Sequence, residues 1–510
     1  GEDVSNIAFG DTLGTGRDFP DRVDGEGHPD EKFHFMAANP PFGVEWKPEQ
    51  DYVTAEHEKL GFSGRFGAGL PRINDGALLF LLHMISKMKA PPEQYSLGPI
   101  KGEKGGEGSR IAIVFNGSPL FTGDAASGES NIRRYIIEND MLEAVIGLPD
   151  QMFYNTGIYT YIWVVTNRKN PQRQGKVQLI NGTDFAWKMK KSLGDKRKKL
   201  GEGLGGEPDH ITELIKIYAD YKHEDKRKLS EIKTNVELPK KAVRDQDKEH
   251  FVSKIFVNQE FAYLKITVER PLRLNFSVTD ERIAAFTDSS YFKNLVISKK
   301  RKDKASIEKE VAEGKAQQQA ILKVLEAVKA GSSKSGQIKN RDAFEAQLKD
   351  EFSTSAVFNE KWKWDAALKK ALLAPGSLAE RDQSADICTD NKGHPETDSE
   401  LRDTENVPLP LDISLPLPLG YENKKQNKGK VDKTELLALV QTHCEDYLKQ
   451  EVLPYRPDAW IDHSKIKLGY EIPFNRHFYQ YQPPRDLVDI DADLDKVSAE
   501  IMELLREVHS

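Results

Sequence analysis

Short apolar runs and amphipathic stretches alternate along the first 180 residues. The apolar runs predict strands and the longer periodic stretches predict helices. The predicted strands are Asn6–Asp11, Lys32–Ala38, Arg110–Phe115, Leu142–Leu148, Tyr159–Thr166 and Lys176–Ile180. The predicted helices are Asp75–Lys89, which is apolar nearly all round, and Ser130–Asn139, with Ser130 as its N-cap. Strands that alternate with helices, several of them uniformly apolar, predict an α/β domain with a largely parallel sheet.

The rest of the chain is more polar, and its apolar residues recur mostly at helical spacing. Helices are predicted at Ser306–Ala330, Asp342–Leu372 and Glu435–Glu451. The stretch between the last two contains the tract VPLPLDISLPLPLG, which favours polyproline conformation. The predicted organisation is a partial α/β domain at 1–185, a mainly helical region with basic patches at 186–381, an irregular Pro-rich connection at 382–430 and a C-terminal helical region at 431–510.

The last predicted helix carries a heptad pattern. Its apolar positions are separated alternately by three and four residues: Leu487, Ile490, Leu494, Val497, Ile501, Leu504 and Val508. A helix packed on its own domain is one interpretation. A repeat of 3.5 residues favours the other, a coiled-coil partner in cis or in trans.

Composition excludes several classes of protein. Apolar residues make up 38% of the 510, which is enough for folded cores and too much for a disordered chain. The longest apolar candidate, Gly76–Met88, is shorter than the ~18 residues of a membrane span, so no membrane partner is expected. Two cysteines, Cys388 and Cys444, cannot form a disulfide framework and favour a reducing cytoplasm.

The net charge of −7 excludes a uniformly basic nucleic-acid coat. Any contact with DNA would therefore have to come from local basic patches or from a partner. The segment 188–200 holds seven Lys and Arg in thirteen positions, namely Lys188, Lys190, Lys191, Lys196, Arg197, Lys198 and Lys199. These side chains either follow DNA phosphates or form a solvated basic face. The histidines show no metal-ligand spacing such as HExxH, so no metal site is predicted. A Walker A phosphate loop is absent, so no ATP-driven activity is predicted for this chain.

The most specific short motif is Asn39-Pro40-Pro41-Phe42, directly after a predicted strand. One interpretation is a rigid turn that ends the strand. The other is a ligand site, because open α/β sheets bind ligands at the carboxyl ends of their strands. An aromatic exocyclic amine has a delocalised lone pair and has to become tetrahedral before it attacks a methyl sulfonium. The Asn39 side-chain carbonyl and the Pro40 backbone carbonyl would accept its two N–H groups, and Phe42 would stack on an extruded base.

The motif FMAANPPFG, preceded by NIAFGDTL and followed by LPRINDGALLFLLHMISKMK and RIAIVFNGSPLFTGDAASGESNIRRYIIENDMLEAVIGLP, resembles the modification subunit of Type I restriction–modification systems. The similarity continues through NTGIYTYIWVVTNRK, KKSLGDKRKKL, FAYLKITVERPLRLNF, LRDTENVPL and GYEIPFNRHFYQYQPPR. It implies a Rossmann-like methyltransferase sheet followed by a mainly helical C-terminal region. It also implies methyl transfer from S-adenosylmethionine to adenine N6 in double-stranded DNA.

The same resemblance assigns roles to single residues. Asn39, Pro40, Pro41 and Phe42 match the catalytic tetrad of the family, and Asp11 matches the acidic position that holds the adenine part of the cofactor. Without the family, Asp11 would be interpreted as a turn residue. The resemblance further implies a specificity subunit that reads the DNA sequence, docked through the C-terminal helices, and a restriction subunit in the full complex.

The chain departs from the family pattern before Asp11. Family members carry a glycine-rich turn upstream of the GDTL segment, and only ten residues precede Asp11 here. The expectation is therefore an N-terminally truncated sheet that keeps the target-base pocket and lacks most of the cofactor pocket. Two alternatives stay open: an inactive module that docks to a specificity subunit, and a methyltransferase acting on RNA or on a protein amide. The Gly-rich stretch Leu60–Leu70 is interpreted either as a mobile loop beside the tetrad or as a connector.

Overall fold

The structure of the chain is a computed structural model. It describes residues 7–8, 10–14, 27–95, 103–154, 156–236, 249–298, 304–332, 337–417, 434–479 and 486–509. The chain divides into two compact units. Unit 1 comprises Gly1–Tyr263, Pro408–Pro418 and Leu468–Ser510, and unit 2 comprises Leu264–Val407 and Leu419–Lys467.

Strands and helices alternate in the first part of the chain, and helices prevail in the second. The strands are β1 Phe35–Ala38, β2 Arg110–Phe115, β3 Leu142–Leu148, β4 Thr160–Thr166, β5 Lys176–Asn181, β6 Trp187–Leu193, β7 Lys196–Lys199, β8 Asp225–Lys228, β9 Glu249–Val257, β10 Ala262–Glu269, β11 Leu274–Phe276, β12 Ala379–Arg381, β13 Asp403–Pro408, β14 Trp460–Ile461 and β15 Lys467–Tyr470. The helices are α1 Gln50–Leu60, α2 Ala77–Ser86, α3 Ser118–Phe121, α4 Gly128–Glu138, α5 His210–Asp220, α6 Leu229–Ile232, α7 Asp280–Asp288, α8 Ser290–Asn294, α9 Lys304–Ser332, α10 Arg341–Thr354, α11 Ala356–Asn359, α12 Ala366–Leu372, α13 Thr434–Tyr447, α14 Phe474–Phe478 and α15 Leu487–His509.

Unit 1 is built on a seven-stranded sheet with the order β1-β2-β4-β3-β5-β9-β8. Five strands run in one direction, and β4 and β9 run in the other. The predicted α/β fold with a helical C-terminal region is confirmed. The sheet is mixed where a largely parallel one was predicted, because only 11 residues join β3 to β4. A parallel connection needs a crossover of about a dozen residues or more, usually with a helix, so β4 returns antiparallel.

The central strands of this sheet are buried. Trp163 on β4 and Phe115 on β2 are both fully buried, and their rings meet edge to face with centroids 5.4 Å apart. On α2 the side chains of Leu79 and Leu81 are completely inaccessible to solvent, as its apolar pattern predicts. The first segment of the chain differs from its prediction: residues 7, 8, 10 and 11 of the predicted strand Asn6–Asp11 form no strand, and Asn6 and Phe9 lie outside the described residues.

Helix α4 begins earlier than predicted. Its N-cap is Ser127, whose Oγ accepts a hydrogen bond from the Ser130 amide at 3.2 Å. Ser130 lies in the first turn, and its Oγ accepts the Tyr470 amide at 2.9 Å. Ser130, which the sequence pattern predicts as the N-cap, therefore binds a segment that lies 340 residues further along the chain.

The segment 468–474, which we call the return segment, packs on α4 and on the end of the sheet within unit 1. Arg133 is fully buried; its Nε donates to the Tyr470 carbonyl at 2.6 Å and its Nη1 to the Pro119 carbonyl at 3.0 Å. The Tyr470 hydroxyl donates to Glu138 Oε1 at 2.8 Å. Burial raises the pKa of the Glu138 carboxyl, and Arg134 opposes that shift. The two bonds to Tyr470 connect positions more than 300 residues apart.

Replacement of Tyr470 by phenylalanine is expected to lower the free energy of unfolding by about 1.5–3 kcal/mol, because a hydrogen bond to a buried carboxylate loses its donor. Urea unfolding followed by circular dichroism measures the change. The matched control is Tyr455→Phe, since Tyr455 is 74% exposed. Equal stabilities of the two variants would contradict the role given to the hydroxyl.

Unit 2 contains a helical core and two small sheets. Helices α9, α10 and α12 bury Leu325, Leu348 and Leu372, and Trp362 and Trp364 pack against the same cluster. Strands β13, β10 and β14 are neighbours in that order in a four-stranded sheet that also includes β15, and β11 pairs with β12. Strands β6 to β9, which follow residue 185, belong to unit 1.

Helix α15 confirms the predicted C-terminal helix, and its heptad positions are exposed. The exposed fractions range from 37% at Ile490 to 77% at Leu487 among the described side chains of the seam. The Val508 side chain lies outside the described residues. Cys388 and Cys444 are buried free thiols. Among the described helices, none combines the length and apolarity that crossing a bilayer requires.

Candidate functional site

The tetrad Asn39–Phe42 follows β1 at the carboxyl edge of the sheet. Strand β1 pairs in parallel with β2, and Ala38 lies opposite Ile113. Pro40 is buried, while Asn39 and Pro41 are exposed. Two consecutive prolines fix φ at both positions, so the orientation of the segment is set before any ligand arrives. The turn that follows requires Gly43, which has φ +62°.

The chain that leaves the tetrad is fixed by a second segment. The Trp46 amide donates to the Ile73 carbonyl at 3.0 Å, and the Gly76 amide donates to the Val44 carbonyl at 2.9 Å. The buried Trp46 indole donates to the Arg72 carbonyl at 2.9 Å. Both sides of the tetrad are thus anchored, by the sheet on one side and by these bonds on the other.

Phe42 has an aromatic partner that the sequence analysis missed. The rings of Phe42 and Phe153 meet edge to face, with centroids 6.3 Å apart and planes at 88°. Phe153 lies in the loop that follows β3, which runs in the same direction as β1. The carboxyl ends of the two strands therefore bring both rings to one edge of the sheet. The available signal was the aromatic in DQMFYN, directly after an apolar strand.

A cation is held at the same edge, after β2. Arg72 Nη2 donates to Ser118 Oγ at 3.1 Å and lies 3.4 Å from Asp75 Oδ2. Ser118 Oγ donates to the same Asp75 oxygen at 2.7 Å. The Arg72 side chain is 48% exposed, whereas the Asp75 side chain is 8% exposed. Ser118 and Asp75 thus hold the Arg72 guanidinium, which stays partly exposed to solvent. The sequence did not predict this network.

Asp11 lies in a tight turn. Its Oδ1 accepts the Leu13 amide at 3.0 Å, and its Oδ2 accepts the Tyr52 hydroxyl at 3.3 Å. The Gly14 amide closes the turn on the Asp11 carbonyl at 3.0 Å. A carboxylate has about four acceptor sites, so Asp11 retains capacity for a further donor.

The Gly-rich stretch Leu60–Leu70 holds this turn through Arg65. Arg65 Nη1 and Nη2 donate to the carbonyls of Thr12 and Gly14 at 3.1 and 2.6 Å. The same guanidinium forms a buried ion pair with Glu56 at 2.8 Å. Phe66 beside it is fully buried. The stretch is therefore a packed element that supports the Asp11 turn.

Arg65 also lies next to a partly buried histidine on α2. Its Nη1 is 3.3 Å from His83 Nδ1, which accepts because a guanidinium can only donate. Burial, together with the positive charges of Arg65 and Lys87, lowers the pKa of His83 from 6.5 to about 3. His83 is accordingly neutral in the folded protein at neutral pH.

This lowered pKa predicts a pH-dependent stability. Below pH 6.5 the unfolded chain binds a proton at His83 and the folded chain does not, so stability falls as the pH falls towards about 3. The contribution is at most about 1.4 kcal/mol per pH unit. Urea unfolding at pH 7.5, 6.5 and 5.5 measures it, and His83→Gln is expected to flatten the dependence.

His477 also makes the stability fall as the pH falls, because burial and the charges of Lys254 and Arg476 lower its pKa to about 4. His477→Gln and the double variant therefore separate the two contributions. A pH dependence of stability that is identical in the wild type and in His83→Gln would contradict the assignment to His83.

The amino-acid sequence is similar to those of known proteins. Residues 2–249 match the family model described as N-6 DNA Methylase. The chain is 29% identical over 169 residues to the Type I restriction enzyme HindI methylase subunit of Haemophilus influenzae, covering 33% of this chain and 31% of the relative. It is 25% identical over 222 residues to the MjaIX methylase subunit of Methanocaldococcus jannaschii, covering 41% and 33%. The chain thus spans about a third of the length of these curated relatives.

Two solved structures are also similar. The type I methyltransferase subunit from Streptococcus thermophilus has a TM-score of 0.29 at 21% identity, covering 42% of this chain and 36% of that one. The EcoKI M protein has a TM-score of 0.27 at 15% identity, covering 64% and 53%. The family model and the sequence relatives carry the comparison: residues 2–249, just under half of the chain, are similar to the N-6 DNA Methylase family, and the sequence relatives are methylase subunits of Type I restriction enzymes.

Proposed function

We propose that this chain is the methylase component of a Type I restriction–modification complex and acts on the N6 amino group of adenine in double-stranded DNA. The observation that carries the proposal is the rigid Asn39–Phe42 tetrad at the carboxyl end of β1, with Phe42 against Phe153. The family match over residues 2–249 supports the reaction class.

The tetrad would act by holding an extruded adenine. The Asn39 side-chain carbonyl and the Pro40 backbone carbonyl accept the two N6 hydrogens, which favours a tetrahedral nitrogen with its lone pair free. The diproline keeps these acceptors in place, so little reorganisation is needed during reaction. Phe42 stacks on the base face, and the ring of Phe153 lies edge-on to Phe42. The N–C bond would form as the methyl–sulfur bond of the cofactor breaks, which would leave a neutral thioether, and the extra proton on N6 would pass to water.

S-adenosylmethionine is the proposed cofactor and supplies the methyl group. Asp11 fits the adenine end of this molecule, because its carboxylate is partly exposed and has acceptor capacity beyond Leu13 and Tyr52. The Arg65 contacts to the Asp11 turn keep this acceptor in position.

The proposed partners follow from the relatives and from α15. Methylase subunits of Type I restriction enzymes are the relatives of this chain. The exposed heptad positions of α15 supply a seam that a helix of a specificity subunit would cover. A restriction subunit would join the full complex. DNA as substrate places the proposed function in the cytoplasm.

The test is methylation of DNA by the purified chain, alone and together with its specificity subunit. Duplex DNA and S-adenosylmethionine are supplied, and N6-methyladenine is quantified by mass spectrometry. Parallel reactions with RNA and with protein test the alternative of an RNA or amide methyltransferase. Accumulation of N6-methyladenine in DNA is expected; methylation confined to RNA or to protein, or absent from every reaction, would contradict the proposal.

A docking module without catalysis is the second candidate, and the exposed seam of α15 favours it. Isothermal titration with S-adenosylmethionine separates the two functions. The methylase, alone or with the specificity subunit, binds the cofactor, whereas a docking module binds the specificity subunit and gives no heat with the cofactor.

A further inference from the structure

The basic segment after residue 186 forms an exposed β-hairpin, which we call the basic hairpin (187–199). It consists of β6 and β7, which pair antiparallel in a separate two-stranded sheet. Leu193 pairs with Lys196, so the turn has two residues, and its first, Gly194, has φ +62°. The hairpin contains seven basic residues and one acidic residue, a net charge of +6.

Hydrogen bonds connect both strands of the basic hairpin to other segments of unit 1. Asn235 Oδ1 accepts the Lys188 amide at 2.6 Å, and its Nδ2 donates to the Lys188 carbonyl at 3.3 Å. On the other strand the amides of Arg197 and Lys198 donate to the Gln151 carbonyl at 3.0 and 3.1 Å. Two-stranded hairpins are marginal by themselves, so these bonds set the position of the hairpin.

The loop that holds β7 also contributes to the site. Gln151 lies two residues before Phe153, whose ring contacts Phe42 of the tetrad. Tyr154, next in the chain, is 62% exposed, and Lys196 Nζ lies 5.4 Å from its ring centroid. The loop 149–154 thus joins the aromatic pair of the site to the basic hairpin.

The charge on the hairpin is only partly neutralised. Lys198 pairs with Asp150 at 2.5 Å and Lys199 with Glu207 at 2.8 Å. Lys188, Lys191 and Arg197 are exposed and form no ion pair with any residue that the structure describes. Lys188 lies opposite Lys198 in the ladder, and the ion pair with Asp150 compensates the charge of Lys198 alone. A polyanion along the hairpin would pair with the remaining positive charges.

We propose that the basic hairpin binds the sugar–phosphate backbone of duplex DNA beside the extruded base. The inference rests on the proposed function, because it places the DNA at the tetrad. Lys188, Lys190 and Lys191 are exposed on β6, where the pairing register shifts between Lys188 and Leu193. Their ammonium groups contact successive phosphates, which carry no sequence information and set the position of the duplex. Loop 149–154 then sets the distance between the phosphate contacts and Phe42.

The experiment measures the affinity of the full chain for a fluorescent 30-bp duplex by anisotropy, across ~50 to 200 mM salt. The test variant is Lys188→Gln/Lys190→Gln/Lys191→Gln/Arg197→Gln. The control variant is Lys309→Gln/Lys315→Gln/Lys323→Gln/Lys361→Gln, which changes the same charge at exposed positions of unit 2. Circular dichroism verifies that both variants fold.

The test variant is expected to reduce the slope of log K against log salt by about 3 to 4 and to weaken binding at low salt by at least about tenfold. The control should keep the wild-type slope. An unchanged slope in the test variant, equal losses in both variants, or no binding by the wild type at low salt would overturn the inference. Methylation is scored separately: an inactive chain that still binds DNA through the hairpin contradicts the proposed function alone.

Discussion

Replacing Asn39 by alanine is expected to lower the rate of methyl transfer to adenine by about 10²- to 10³-fold, the loss typical of removing one pre-oriented polar group from a charge-developing centre. The side chain is exposed at the end of β1, so the fold should survive its removal. The measurement is the single-turnover rate of N6-methyladenine formation in the protein assembled with its specificity subunit. Duplex affinity and the unfolding transition are measured in parallel and should stay at wild-type values.

Asn39→Asp is the matched control, because it keeps an acceptor oxygen at the same position and replaces the amide donor by a second, negatively charged oxygen. It should retain more activity than the alanine variant. Wild-type rates in Asn39→Ala would remove the tetrad from the chemistry, whereas a parallel loss of duplex affinity would indicate a role in DNA binding.

Replacing Arg65 by methionine is expected to destabilise unit 1 by about 3–5 kcal/mol. The substitution leaves the buried Glu56 carboxylate, 7% exposed, without its cationic partner. It also removes the donors to the Thr12 and Gly14 carbonyls, so the Asp11 turn loses its support. Urea unfolding at pH 7.5 measures the loss.

The double variant Glu56→Gln/Arg65→Met separates charge from packing. Without a buried charge, most of the lost stability should return, since apolar replacement of a whole buried ion pair is often close to neutral. The Glu56 oxygen that accepts the Arg65 amide at 2.6 Å remains available as an amide oxygen. A double variant as unstable as the single one would show that packing dominates.

The sequence predicted the strands that consist of continuous apolar runs. Strands β2 and β3 have the predicted bounds, Arg110–Phe115 and Leu142–Leu148, because continuous apolar runs leave little freedom in register. The direction of β4 was not predictable from its own residues, since connection length and strand order decide it. The ion pair of Glu56 with Arg65 and the bond from Tyr470 to Glu138 depend on tertiary packing, and no local pattern marks them.

The candidate site also has a part that was predictable from the sequence and a part that was not. The tetrad was predictable because its four residues are consecutive in the chain, and the structure places it at the predicted edge of the sheet. Phe153 follows β3, and Arg72 lies in the loop before α2 and is bonded to Ser118 after β2, so only the order and direction of β1, β2 and β3 bring these side chains to the same edge. The catalytic roles of Asn39, Pro40, Pro41 and Phe42 and the cofactor role of Asp11 stay predictions.

Unit 1 cannot complete its packing until the ribosome has synthesised the return segment. Arg133 obtains its buried acceptor at Tyr470 only after about 200 further residues have followed Tyr263. At ribosomal rates of about 5–20 residues per second, that interval lasts roughly 10–40 s. Until then the nascent amino-terminal portion exposes the face of α4 that Tyr470 later covers, and it is a substrate for chaperones. Ribosome-bound chains halted at residue 263 should therefore be cleaved by protease within α4, and chains extended well past residue 478 should resist.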